Sequence, residues 1–347
     1  MIRLYMHPAN ANIFFIAPPA QSSPTVVYCT LDSQSISVST TELLRFISPR
    51  SGPIVAITSA PYPSSWRRRL WYSTAKLHPR WQDPTRKCGV LLFGGGGWST
   101  DKEESQCKAV TEAIERWAFR YYAISHPEEI GFESDPTTNG FAALPAAMGS
   151  RPLIRHAYHE ALERWALNRF WDEGNISFNE VTPPQDAVSL FGQFKGRVSC
   201  YVAALQDQSP KALRAGTISF CLAIFTNDAG GVVPGSACGD DLAATTMRAS
   251  LEAYIHARAA ANLKGKAPLR QLDITEQRLL HFSTSALAGA SVKERLLLSR
   301  TSVPRPTPPI MFSKHLPGPW EPEIRVHRVL VADSKPITCG GIDRFII

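Results

Sequence analysis

The sequence predicts an α+β fold in which mixed sheets pack with long helices. Three observations carry that expectation. Hydrophobic residues make up 44% of the 347 positions, enough for a large core. Three long stretches with helical periodicity stand far apart, near 101–125, 153–172 and 242–263. Strand-like runs fall between them, without the regular βαβ spacing of a doubly wound parallel sheet.

The elements follow in order. Residues 1–45 read as a short α/β preface, with strand-like runs at 26–30 and 35–39 and a helix opening near 41–46. A strand at 54–58 runs into a proline-rich turn at 61–63. A buried strand at 88–93 enters four glycines at 94–97. The first long helix opens on Lys-Glu-Glu, with Ser99 or Thr100 as its N-cap. A loop is expected over 126–150, then the second helix. Strand composition returns at 198–205 and 216–226, ahead of the third long helix. A further helix is expected at 291–300, a proline-rich loop at 303–322 and a last strand at 324–331.

Composition excludes several classes of protein. Charged residues are 19% of the chain, which argues against global disorder. There is no apolar run of about 18 residues, so no membrane span is expected. The apolar run at 13–17 is too brief for a signal peptide, and it follows His7 and Pro8. The net charge is +7, with arginines clustered at 67–69. No nucleic-acid-binding motif accompanies them, so they read as a solvated basic surface or a site for an acidic peptide. Seven cysteines lack any C-x-x-C pair, which reads as mostly buried thiols in a cytoplasmic protein, with no disulfide framework.

The informative feature is an internal echo. Residues 111–118 read Thr-Glu-Ala-Ile-Glu-Arg-Trp-Ala, and residues 159–166 read His-Glu-Ala-Leu-Glu-Arg-Trp-Ala. Residues three and four apart share one helix face, about 5–6 Å between Cβ atoms. Glu112, Glu115 and Arg116 therefore project together, as do Glu160, Glu163 and Arg164. A single such triad is most often an ion pair on a solvated helix. Two copies on different helices could bring four carboxylates to one site. Packed carboxylates repel and need cations; hard oxygen ligands suit magnesium, which usually arrives with substrate phosphates. The arginines then suit phosphate oxygens. Arg248 and Glu252, one turn apart, and Arg258 offer a third wall.

Other signals are weaker. The glycines at 94–97 lack the Lys-Ser/Thr of a Walker A loop, leaving an approach to a nucleotide or a tight strand-to-helix turn. His156, His159 and Glu163 share a helix face, but H-x-x-H-E is not the zinc order H-E-x-x-H. Asp240 and Asp241 read as a helix N-terminus, and Trp117 and Trp165 as core residues.

A glycine-rich run, two helices with E-x-x-E-R and a late helix with R-x-x-x-E, in that order, resemble the YcaO domain. The resemblance runs from about residue 46 to near the C-terminus and is carried by 94–117, 139–171 and 240–258. It implies a YcaO-type fold whose long helices line a nucleotide cleft. It assigns Glu112, Glu115, Glu160 and Glu163 to magnesium, and these with Arg116, Arg164, Arg248 and Glu252 to ATP. Departures from the family pattern stand at Lys108, Pro152 and Ile255, and Asn139 remains from an Asn-rich stretch.

The implied chemistry is ATP-dependent activation of backbone amides in a ribosomally made precursor peptide. A Cys, Ser or Thr side chain attacks the preceding carbonyl, the oxyanion is phosphorylated, and loss of phosphate leaves a thiazoline or oxazoline. The implied partners are that peptide and a separate leader-peptide-binding protein. The resemblance leaves room for a dehydrogenase partner and a homodimer; no nucleic acid or membrane is expected. Two alternatives stay open: a catalytically degenerate scaffold subunit and a thioamide-forming enzyme.

Overall fold

The computed structural model describes residues 26–31, 34–39, 43, 45–48, 50, 52–61, 70–81, 94–126, 140–210, 217–264, 272–299, 306–336 and 339–345. The apolar run at 13–17, the arginines at 67–69, the strand expected at 88–93, Asn139, and parts of the helix expected at 41–46 and of the turn at 61–63 lie outside the described residues.

Antiparallel pairing builds the sheets. Strands β1 (Val26–Leu31) and β2 (Gln34–Ser39) form a hairpin where the sequence places both. A three-stranded sheet orders β3 (Ile54–Pro61), β4 (Trp71–Leu77) and β5 (Gly94–Ser99). A four-stranded sheet runs β10 (Val232–Gly239), β9 (Ile218–Asn227), β8 (Gly196–Leu205), β7 (Asn179–Val181). The last sheet runs β11 (Ile310–His315), β12 (Ile324–Val331), β6 (Phe141–Pro145). The helices are α1 (Lys102–Ser125), α2 (Ser150–Glu173), α3 (Gln185–Leu190), α4 (Leu242–Leu263), α5 (Ile274–Thr284) and α6 (Ala286–Ser299).

Three local expectations are corrected. The glycines at 94–97 are not a strand-to-helix turn: they form edge strand β5. Their use is closeness. A Cβ on Gly95 would lie 2.0 Å from the Ala109 carbonyl oxygen, and one on Gly97 would lie 1.9 Å from that of Ser105. Bare backbone lets α1 press directly onto the strand. The cap of α1 is Asp101, whose carboxylate accepts from Glu104 N at 2.7 Å; the Ser99 hydroxyl donates instead to the Glu104 carboxylate at 2.6 Å. Strands β6 and β11 occupy parts of the expected loops at 126–150 and 303–322.

The tryptophans after each acidic motif are buried, as read from the sequence. Trp117 is 6% exposed, Trp165 4%, and Trp117 meets Trp320 edge-on at 5.4 Å. One residue along a helix is a turn of about 100°, so a buried Trp117 swings Glu112 and Arg116 to a different side of α1 from the core. Cys200, Cys221 and Cys238 are buried free thiols and Cys339 is an exposed one. Cys107 is disulfide-bonded, which corrects the reading of thiols there: pairing depends on which segments meet in space, and linear spacing does not record that. Among the described residues no helix is long and apolar enough to cross a membrane.

Candidate functional site

Glu112 and Glu115 of α1, Glu160 and Glu163 of α2 and Glu252 of α4 are each partly buried and lie close enough to bear on one another. Glu112 accepts a hydrogen bond from Gly96 N at 2.7 Å and is ion-paired to Arg116, which also donates to the Gly94 carbonyl. Glu160 accepts from Gly140 N at 3.1 Å. Ser236 on β10 ties the other two helices together. Its hydroxyl donates to Glu163 at 2.7 Å and its backbone N–H to Glu252. Arg248 donates to the Cys238 carbonyl at 2.7 Å.

Electrostatic coupling joins the three walls. Burial raises the Glu115 carboxyl well above the ordinary carboxylate range, and the charges of Glu160 on α2 and Glu112 on its own helix add to it. Burial pushes Glu160 up to about 7, assisted by Glu163 and opposed by Arg164, Gly140 N and Arg328. Glu163 also stands at about 7: burial and Glu252 raise it, while Arg164, Ser236 and Arg248 hold it down. Glu252 is raised as well, by burial first and by Glu112 across the cleft. Arg164 sits among Glu163, Glu252 and Glu160, whose charges lift its affinity for its proton against the pull of burial. Glu112, Glu115, Glu160, Glu163 and Glu252 therefore bear on one another, with Arg116, Arg164 and Arg248 among them.

Sequence reasoning missed three contributors. Arg328 on β12 is fully buried, lies 4.3 Å from the Phe141 ring centroid and bears on both Glu115 and Glu160. Its signal was a cation inside the apolar run Ile-Arg-Val-His-Arg-Val-Leu-Val. Tyr72 stacks on Trp98 with ring centroids 4.2 Å apart, and burial with Glu112 nearby pushes its hydroxyl up to about 12. Arg258, already named from the sequence, bears on Tyr72 and on Tyr254. Ser236 carried no signal, since serine in a strand is commonplace.

The two histidines of α2 stand in different surroundings. Burial and the neighbouring Arg248 push His156 down to about 3, so it is neutral. His159 Nε2 lies 3.4 Å from Asp240, which Arg155 also grips. Those partners hold the Asp240 carboxyl down at about 2 although burial alone would raise it. Asp241 caps α4, accepting from Ala244 N at 3.0 Å, as the sequence suggested.

The donor set fits a magnesium–phosphate ligand. Five hard carboxylates share one cleft and several retain protons near neutral pH, so a cation has both oxygen donors and a repulsion to relieve. Among the described residues no group of three or more His, Cys, Asp or Glu side chains is arranged to hold a metal alone. That is the usual condition of magnesium, which takes one or two carboxylates and completes its shell with water and phosphate.

Comparison with known proteins identifies the fold. No family model matches the sequence and no curated protein matches it. Among solved structures, a chain of the E. coli microcin synthetase McbBCD complex with pro-MccB17 bound aligns over 82% of this chain and 89% of its own, with TM-score 0.54 and 11% identity. A chain of the E. coli McbBCD complex aligns over 89% and 91%, with TM-score 0.53 and 12% identity.

Proposed function

We propose that this chain, sharing its fold with a chain of microcin synthetase, is a YcaO-type enzyme that uses magnesium and ATP to activate backbone amides of a peptide. The observation that carries the reading is the convergence of Glu112, Glu115, Glu160, Glu163 and Glu252 from three helices upon one cleft with Arg116, Arg164 and Arg248. One or two of the carboxylates Glu115, Glu160 and Glu163 would hold the cation, and the arginines the phosphate oxygens. ATP bound there would supply the phosphoryl group that turns an amide oxygen into a leaving group.

The chain's own residues then position and neutralise. Arg164, central among three carboxylates, keeps a positive charge at the middle of the cleft as phosphate charge shifts. Arg328 offsets Glu115 and Glu160 from behind. Tyr72, with its raised hydroxyl, stays neutral and presents a stacked ring beside Glu112. The substrate would be a ribosomally made precursor peptide delivered by a separate leader-binding protein. A dehydrogenase would be a further partner if azolines are oxidised. Supporting this, the neighbouring chains of the same fold belong to multi-subunit assemblies, one with pro-MccB17 bound.

A scaffold subunit that keeps the fold without ATP turnover is the rival. The commitment of Glu112 and Glu252 to strand backbone favours it. Titration of the whole chain with ATP, with and without magnesium, separates the two. Magnesium-dependent binding that Glu160→Gln abolishes is expected. Absence of any such binding with peptide and partner present would remove the enzyme reading. Product mass then distinguishes loss of one water from exchange of oxygen for sulfur, the azoline and thioamide outcomes.

A further inference from the structure

Two parts of the molecule are built alike without looking alike in sequence. In each, an edge strand runs through an aspartate cap into a long helix: β5, Asp101, α1, and β10, Asp241, α4. In each, one glycine lets the helix backbone touch the strand. A Cβ on Gly95 would lie 2.0 Å from Ala109 O and 2.4 Å from Ala113 N; one on Gly235 would lie 2.2 Å from Ala249 O and 2.1 Å from Ala253 N.

In each, three side chains one turn apart reach round the strand to three alternate backbone groups. Lys108 Nζ donates to Trp98 O at 3.2 Å, Gly96 N donates to Glu112 at 2.7 Å, and Arg116 donates to Gly94 O. Arg248 donates to Cys238 O at 2.7 Å, Ser236 N donates to Glu252, and His256 Nδ1 meets Pro234 O at 2.8 Å. The separations between partners are 10, 16 and 22 residues in both sets. Four helical residues rise about 6 Å and two strand residues about 6.7 Å, so such a ladder stays in step over three rungs. The polarity repeats too: donor to carbonyl, carboxylate to N–H, donor to carbonyl. A carbonyl oxygen can only accept, so His256 Nδ1 must carry the proton of the last rung.

We infer that these are two copies of one strand–cap–helix unit, and that Lys108 and His256 are positioning residues that clamp the middle carboxylates, Glu112 and Glu252, into the cleft walls. Lys108, a departure from the family pattern when read in sequence, is the counterpart of Arg248. Its ammonium fixes the strand that fixes Glu112, and Glu104 steadies it at 2.8 Å. The effect on ligand binding rests on the magnesium–nucleotide reading above; the clamp itself does not.

The experiment is amide hydrogen exchange at Gly96 and Ser236 in the full chain, paired with magnesium–ATP titration, for wild type, Lys108→Met, Lys108→Arg and His256→Phe. Lys108→Met should speed exchange at Gly96 about tenfold and leave Ser236 unchanged, and His256→Phe should do the reverse. Each should weaken magnesium–ATP by about tenfold, and Lys108→Arg should restore both readouts. If exchange rises while nucleotide affinity holds, the ladders only cover strand edges and the positioning role is overturned. If neither readout moves in Lys108→Met, the clamp is overturned. A wild type that binds no nucleotide removes the reading of the cleft and leaves the clamp to be decided by exchange. Should Lys108→Met fail to fold, Lys108→Gln carries the same comparison.

Discussion

Helix α2 carries two charged clusters whose electrostatic balances are opposite. In its middle, Glu160 and Glu163 face the cleft with carboxyls pushed up to about 7. Two turns further on, Asp172 accepts from Arg344 at 2.7 and 3.1 Å and from Lys335 at 2.9 Å. Burial would raise that carboxyl, but hydrogen bonds from Arg344 and Lys335 hold it below the ordinary carboxylate value. Arg344 also reaches Asn168 at 2.6 Å, and Arg278 grips the Cys339, Gly340 and Gly341 carbonyls at 2.7–3.0 Å. One cluster is neutralised by its own chain and fastens the C-terminal segment. In the other, burial and neighbouring carboxylates push the acids up, which costs stability wherever they are ionised. Similar residue types on one helix thus stabilise or strain the fold according to how their charges are partnered.

The comparison sharpens most if one substitution moves binding and stability in opposite directions. Glu163→Gln removes a repelling acid while keeping its shape. Magnesium–ATP affinity should fall about a hundredfold, some 2.7 kcal/mol, while the ligand-free thermal midpoint holds or rises by a degree or two. Calorimetric titration and thermal unfolding read the two effects; a midpoint that drops by several degrees breaks the contrast. Arg344→Met should do the opposite. It leaves Asp172 with Lys335 alone and the Asn168 side-chain oxygen without its partner, and should lower unfolding stability by about 3 kcal/mol in urea, with nucleotide affinity of the folded protein changed less than about twofold.

How much of this was legible in the sequence follows from what each feature uses. Helix α4 and strand β12 stand at 242–263 and 324–331, as read, because their signals are periodicity and apolar content. The echo in α1 and α2 gave the acids, because side-chain identity is written directly. Features made by backbone proximity left no such trace. Strand β5 was hidden by four glycines that exist to let α1 approach. Strand β10 was hidden by Pro234 and Gly235, both tolerable on an edge. The repeated unit is equally hidden. The sequence echo pairs α1 with α2, whereas the matched geometry pairs α1 with α4, whose common residues are little more than Gly95/Gly235, Asp101/Asp241, Ala109/Ala249, Glu112/Glu252 and Ala113/Ala253. Arg328 entered the cleft from a strand far along the chain, which only the tertiary fold reveals.

The pH dependence of the ligand-free protein tests the same contrast with a smaller effect. Glu160 and Glu163 titrate near 7 when folded, against an ordinary value of 4.5. Between those values the folded chain holds protons that the unfolded chain has released. Stability from this cluster is therefore greatest below pH 4.5 and is lost as pH rises through 7. Asp172 has the opposite sign: its contribution is present above its ordinary value of 3.8 and is lost as pH falls through the lower folded value. The thermal midpoint should fall by about 3 °C from pH 5.5 to pH 8, and Glu160→Gln should flatten that slope while Asp172→Asn leaves it unchanged.

The smallest effect belongs to the ion pairs at the open end of the same helix. Arg169 bonds Glu173 one turn on and Asp333 at 2.6 Å, yet the Asp333 side chain is 65% exposed and Glu173 35%. Water and salt screen both partners, so the contacts resemble those of Arg344 on paper without its burial. Arg169→Ala should therefore lower stability by less than about 1 kcal/mol, and 0.5 M salt should erase the difference, whereas the Arg344→Met deficit should persist. Equal losses for the two arginines in a salt series would mean that burial is not what separates the anchoring cluster from the surface, and the distinction drawn along α2 would then rest on the cleft alone.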